Sequence, residues 1–235
     1  MDHAELRQRF SALTTAHVAD ACIRAHVAVR CAPSALQAAV PGSHIAGRVC
    51  PARHAGSVDI FLEAFESATS GDVLVVDNDG RFDEACVGDL VALEAQTAGL
   101  EGMVIWGLHR DTVDIRAIAL PVFSLGSLPT GPQRLDARHP EALTSATVGE
   151  WSVTIDDLVF CDEDGVLFVP ARRAGEILTL AETIRDTERR QADRIRNGVP
   201  LREQVHFAAY LAARKETPSL TFRDHLRNVG GAIEV

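Results

Sequence analysis

Apolar positions along the chain follow two different periods, and each change of period marks an element. Val73-Leu74-Val75-Val76 is an unbroken apolar run after a Gly71-Asp72 turn, the pattern of a strand buried on both faces. Met103-Val104-Ile105-Trp106 and Pro121-Val122-Phe123 repeat it. Between these runs the pattern predicts a helix from about Gly88 to Ala98 and a shorter one opened by Asp111 and reaching Ala119. Strand and helix alternate through the middle, which predicts parallel pairing with helices packed on the sheet. Upstream, helix is expected within Leu6 to Ala25. Ser57 can cap a further helix, Val58 to Ala68, with Val58, Phe61, Leu62 and Phe65 at helical spacing.

The pattern changes after residue 150. Trp151 to Ile155 and Val166 to Val169 read as strands with no helix between them, and Asp162-Glu163-Asp164-Gly165 is a tight polar turn. This predicts a second layer of sheet. A long helix follows from about Ala171 to Asn197, stopped by Gly198. Ile177, Ala181, Ile184 and Ile195 form one stripe on it, and Glu188 interrupts that stripe. A carboxylate there marks either the point where the helix leaves the core or a cationic partner. We divide the chain into a main domain, residues 1–200, and a helical extension, residues 201–235, with two helices expected within Leu201 to Asn228.

Composition narrows the possibilities. The chain has 235 residues and a net charge of −10, a poor basis for binding nucleic acid through phosphates. No run reaches the ~20 apolar residues of a membrane span, and Met1 to Arg30 lacks an apolar signal core. The five cysteines are odd in number and form no C-x-x-C pair, so a disulfide framework is not expected and a reducing cytoplasm is. The single lysine, Lys215, lies in the extension.

Candidate chemistry concentrates between Gly88 and Asp114. Gly88-Asp89-Leu90-Val91 forms the first turn of a predicted helix, where backbone N–H groups lack internal partners and sit at the positive end of the dipole. A glycine there lets a carboxylate approach closely. Arg110-Asp111 lies just past the end of a strand, where open α/β sheets bind ligands. Arginine offers a planar fork for a carboxylate, and aspartate a hard oxygen for Mg²⁺ or Mn²⁺. Taken alone, the dipeptide is equally a surface ion pair or a helix cap. His109 should point away from its neighbour and is assigned a structural or rim role. His17, His54 and His206 form no spaced ligand set.

Gly88-Asp89-Leu90-Val91 followed by Arg110-Asp111-x-x-Asp114, with twenty residues between Asp89 and Arg110, resembles the signature of the RraA-like family. That family includes the class II 4-hydroxy-4-methyl-2-oxoglutarate/4-carboxy-4-hydroxy-2-oxoadipate aldolases. Gly71 to Asp77, Pro121 to Phe123 and Asp164 to Pro170 resemble further landmarks, so the likeness covers about residues 10–200. It implies an α/β fold, a three-layer αββα-type sandwich of the swivelling β/β/α kind, here with the helical extension. It also implies that Arg110 binds the pyruvyl carboxylate, that Asp111 is the direct metal ligand, and that Asp89 reaches the metal through water. The amides around Leu90 and Val91 would line the carboxylate loop. Glu188 would come from a neighbouring subunit, also through water, which implies a homotrimer or homohexamer. The sequence departs from the family pattern at Trp106-Gly107-Leu108-His109, where many members carry Asp-Gly, and Trp106 is expected to narrow the pocket.

An aldolase stabilises an enolate through a lysine Schiff base or a metal. With Lys215 in the extension, the residues themselves favour the metal. The expectation is a divalent-metal-dependent lyase, using Mg²⁺, Mn²⁺ or Co²⁺, that cleaves 4-hydroxy-2-oxo diacids to pyruvate and decarboxylates oxaloacetate as a side activity. The competing expectation is a non-catalytic, protein-binding regulator of the ribonuclease E inhibitor type. A quinone methyltransferase is set aside, since no glycine-rich nucleotide loop follows the first strand.

Overall fold

The structure is a computed structural model describing residues 1–229, so residues 230–235 of the expected extension lie outside the described residues. The chain divides into two compact units, residues 1–16 with 29–175, and residues 17–28 with the chain from 176 onward. The boundary that we drew at residue 200 falls inside the second unit.

The first unit opens with α1 (His3–Phe10). The second helix, α2 (Thr15–Arg24), begins at its end, so the helix expected within Leu6 to Ala25 is present as two segments. Then follow β1 (Arg30–Cys31), β2 (Gln37–Ala38), β3 (Ile45–Arg53), α3 (Asp59–Ser67), β4 (Val73–Asp77), β5 (Ala85–Val87), α4 (Asp89–Thr97) and β6 (Gly102–Trp106). Next come β7 (Leu108–His109), α5 (Thr112–Ile118), β8 (Val122–Ser124), β9 (Ser145–Val148), β10 (Trp151–Thr154), β11 (Asp157–Asp162) and β12 (Gly165–Pro170).

Eight strands form one sheet in the order β1-β12-β11-β3-β4-β6-β8-β2. β3 joins its halves. The C-terminal residues Val49 to Arg53 pair parallel with Val73 to Asp77, and Ile45 to Arg48 pair antiparallel with β11. β4, β6 and β8 continue in parallel as the alternation predicted. β11 and β12 form a hairpin about the polar turn at 162–165.

Period-2 alternation sorts the side chains between two cores. Leu74, Val76, Met103 and Ile105 face a helical layer built from Ile60, Phe61, Phe65, Val91, Ala95 and Ile115. Val73, Val75, Val104 and Phe123 face the opposite way and share one core with Val159, Cys161 and Phe168 of the antiparallel half. The sheet is therefore curled, and its halves are the two sheet layers expected. The β9–β10 ribbon contributes Val148 and Val153 to the same core. On the outer face of β11, Phe160 meets Phe10 of α1 edge-on at 5.1 Å.

Two local readings need correction. Trp151 to Thr154 pairs with β9, a strand the pattern did not reveal, and the partner of β12 is β11, also unseen. On α3, Phe61 and Phe65 are buried, but Val58 and Leu62 are about half exposed; Ile60 and Ala64 complete the inward face. The helix presents a face shifted by one to two residues, because Ile60, not Leu62, points at the sheet.

The second unit contains α2, α6 (Ala174–Arg196, mostly within it), α7 (Leu201–Gln204), α8 (Phe207–Glu216) and α9 (Phe222–Val229). Gly198, with φ +88°, ends the long helix as expected. Ile177, Ala181 and Ile184 are buried, whereas Ile195 is 45% exposed, so the apolar stripe is covered only along its first part. Tyr210 and Phe222 meet each other's rings and those of Phe207 and His225 at 5.1–6.0 Å, which ties α8 to α9.

Candidate active site

A ribbon too short to read from sequence builds the site. β5 and β7 pair in parallel, Ala85 with Leu108 and Val87 with His109. The next residues on the two strands are Gly88 and Arg110, so the register sets them side by side. The Arg110 N–H donates to the Val87 carbonyl at 2.9 Å, fixing that junction. Gly88 then caps α4, and Asp111 caps α5 in the left-handed region at φ 60°. A non-glycine residue held there is costly, and such residues gather at functional sites.

The approach is close. A methyl group on Gly88 would fall 2.6 Å from Asp111 Oδ2 and 3.2 Å from Arg110 Nε. Glycine therefore lets the Asp111 carboxylate and the Arg110 side chain lie against the backbone of this helix cap, where any side chain would displace them. Arg110 Nε lies 3.4 Å from Asp111 Oδ2, with the side chains 48% and 37% exposed. Both remain open to a ligand. Arg110 Nη1 reaches toward Gly131, where a methyl group would fall 2.9 Å away. That loop is held by Leu128 N–H donating to the His109 carbonyl and Ala85 N–H donating to the Thr130 carbonyl.

Beside this junction lies a cavity of about 340 Å³, lined by Gly88, Asp89, Leu90, Val91 and Arg110, together with His54, Cys86 and Pro132 among others. The structure thus brings together the predicted loop Gly88-Asp89-Leu90-Val91, Arg110 and Asp111. Trp106 is not among the lining residues. Its indole packs on the Gly80 turn, where a methyl group would meet the ring at 2.9 Å, so it does not narrow this cavity. Glu188 belongs to the second unit, where it lies 3.1 Å from His17 Nε2.

His109 is buried, with Nδ1 2.7 Å from Ser124 Oγ and Nε2 3.0 Å from Thr112 Oγ1. Burial lowers its pKa, with smaller opposing contributions. It props the α5 cap from behind, a structural role.

The polar network behind the cavity was not legible from any motif or spacing. His54 stacks on Phe61 at 5.3 Å and 7° between planes. Its Nδ1 lies 2.8 Å from Asn78 Oδ1 and 3.8 Å from Glu84 Oε1. Arg134 donates to both Glu84 oxygens from Nε, at 3.1 and 3.2 Å, and to Asn78 Oδ1 from Nη2, also at 3.1 Å. Burial drives the His54 pKa down, against the Asn78 hydrogen bond and the Glu84 charge, which push it up. Only the coincidence of His54, Glu84 and Arg134 in space reveals the network, and the chain separates them by tens of residues.

A family model described as Aldolase/RraA matches residues 15–168. The chain belongs to the RraA-like family. Solved structures agree with its fold. An uncharacterised protein from Pseudomonas syringae is 26% identical with a TM-score of 0.71, covering 83% of this chain and 94% of that one. RraAS2 of Streptomyces coelicolor, described as an unusual member of the RNase ES inhibitor RraA protein family, is 25% identical with a TM-score of 0.69, covering 79% and 94%. Protein DlpA of Legionella pneumophila is 33% identical over 134 residues, which is 56% of this chain and 21% of DlpA. The chain spans less than two thirds of the length of the curated relatives it matches. In this RraA-like chain the whole Gly88–Asp111 junction lies inside the matched stretch, and most of the second unit lies outside it.

Proposed function

We propose that this RraA-like chain is a divalent-metal-dependent lyase that cleaves 4-hydroxy-2-oxo diacids to pyruvate, with oxaloacetate decarboxylation as a side activity. The observation that carries the reading is the meeting of Arg110 and Asp111 at Gly88, beside a cavity floored by the first turn of α4. An anionic substrate is held there by the Arg110 guanidinium and the free amides of that turn.

The residues fit a cation that is shared with substrate. Among the described residues, no group of three His, Cys, Asp or Glu side chains stands ready to cage a metal. Mg²⁺ keeps several waters and takes one or two carboxylates together with substrate oxygens. The half-open Asp111 carboxylate and the neighbouring Asp89 match that habit, and they do not match a closed zinc site. Asp111 would hold Mg²⁺, Mn²⁺ or Co²⁺ directly, with Asp89, and Glu188 from a neighbouring copy, contributing through water. The cation would supply Lewis acidity at the 2-oxo group, where negative charge develops as the C–C bond breaks. Arg110 neutralises the adjacent carboxylate and fixes the substrate's orientation. This reading carries with it a homotrimer or homohexamer and a cytoplasmic setting. Among the described residues no helix is long and apolar enough to cross a membrane.

The test is pyruvate release from a panel of 4-hydroxy-2-oxo diacids and oxaloacetate, before and after EDTA, with each metal added back. We expect loss on chelation and recovery with metal. The likeness to RraAS2 favours a second reading, a protein-binding regulator of ribonuclease E type. Absence of pyruvate under every metal condition decides for that one.

A further inference from the structure

The geometry points to His54 as the proton acceptor for the substrate's 4-hydroxyl group in the Arg110 cavity. This inference rests on the reading of the site as a lyase. His54 lines that cavity together with Gly88, Asp89 and Arg110. Three features make its ring a base and not only a packing element.

First, its tautomer is fixed. Arg134 can only donate, so the Asn78 atom it contacts at 3.1 Å is the carbonyl oxygen. That same oxygen lies 2.8 Å from His54 Nδ1, which must therefore carry the hydrogen. Second, the remaining nitrogen, Nε2, takes part in no hydrogen bond among the described residues, so its lone pair is not committed to the fold. Third, the ring cannot turn away. Phe61 stacks on it at 5.3 Å, and its side chain is only 1% exposed. An imidazole in the wall of a ligand cavity, with Nδ1 anchored to an oxygen and Nε2 uncommitted, is the arrangement of a general base.

The charged groups around the ring suit the task. Glu84 lies 3.8 Å from Nδ1 and favours the imidazolium, Arg134 opposes it, and Asp59 adds a weaker favourable field. Burial outweighs them and leaves the ring neutral at pH 7, ready to accept a proton.

The step balances. Nε2 takes the proton of the 4-hydroxyl group as the C3–C4 bond breaks, and C4 becomes a carbonyl. The bond's electron pair passes to C3 and the 2-oxo group as the enolate of pyruvate. The imidazolium then returns the proton to C3, giving pyruvate and neutral His54. Decarboxylation of oxaloacetate has no hydroxyl proton to remove, so its bond-breaking step does not need this base.

That difference supplies the test. In His54→Gln and His54→Asn, cleavage of a 4-hydroxy-2-oxo diacid should fall by roughly a hundredfold or more. Oxaloacetate decarboxylation with Mg²⁺ should stay within about threefold of the unaltered protein. An equal fall in both activities, or cleavage at the original rate, overturns the role. A measurement on the unaltered protein avoids any dependence on folding. Its kcat/KM for cleavage should decline on acidification with an apparent pKa below 6.5, while decarboxylation lacks that limb. The same acid limb in both reactions, or in neither, overturns the proposal. Failure of the unaltered protein to release pyruvate from either substrate overturns the lyase reading and this role with it.

Discussion

Two arginine–carboxylate pairs stand near one another in the first unit and behave oppositely. Arg134 and Glu84 share three hydrogen bonds of 3.0–3.2 Å, with side chains only 20% and 5% exposed. Arg110 and Asp111 touch through one atom pair at 3.4 Å and are 48% and 37% exposed. The first pair has spent its hydrogen-bonding capacity on the fold. The second retains most of its donors and acceptors, and it sits on a left-handed cap beside a cavity. Charge pairs with unspent capacity are available to a ligand, whereas saturated buried ones lock the scaffold.

Mutation of each pair sharpens this contrast. Asp111→Ala should lower kcat for pyruvate formation by roughly a thousandfold and leave the urea midpoint almost unchanged. A variant that keeps near-original activity breaks the assignment of Asp111. Glu84→Ala removes three hydrogen bonds from the Arg134 guanidinium, leaving it Asn78 and Asp136, and should cost about 2 kcal/mol of stability, read as a lower urea midpoint at constant m. A shift below about 0.5 kcal/mol would mean the pair is no lock.

Gly88→Ala tests the junction itself. The added methyl would lie 2.6 Å from Asp111 Oδ2, on a backbone with φ −125° that alanine tolerates. Displacement of the carboxylate by about 1 Å should cost up to about a hundredfold in kcat/KM with little loss of stability. Unchanged kinetics would show that the close approach does not matter to turnover.

The smallest effect concerns pH. The folded His54 pKa lies below the ordinary 6.5, mainly through burial. The unfolded chain then binds more protons below that value, so stability is full above pH 6.5 and declines as pH falls toward the folded pKa. In His54→Asn this part of the acid slope should vanish. Urea titrations at pH 7.5 and 5.5 measure it, and an equal slope in both proteins contradicts the assignment.

The legible parts of the molecule share one property: a local pattern was enough to specify them. β4, β6 and α4 follow from uninterrupted apolar runs and a glycine cap. β3 was missed although it joins the halves of the sheet, because Gly47, Arg48 and Pro51 interrupt its pattern. β5 and β7, with three residues and two, carry no periodic signal. Arg110, Asp111 and Gly88 were legible as chemistry. Their meeting was not, since it depends on the register of that small ribbon. His54 was passed over because a lone histidine has no spacing to read.

By itself the sequence determined where apolar periods begin and end, and so the strand–helix alternation and a glycine-led turn followed by Arg-Asp. Hydrophobic burial and helix capping are short-range in the chain, which is why they are written locally. Only the tertiary structure decided that Val87 lies opposite His109, that Arg134 saturates Glu84, and that His54 lines the cavity of Arg110. Hydrogen-bond geometry and desolvation depend on angstrom-scale distances between residues far apart in sequence, and those distances exist only once the chain has folded.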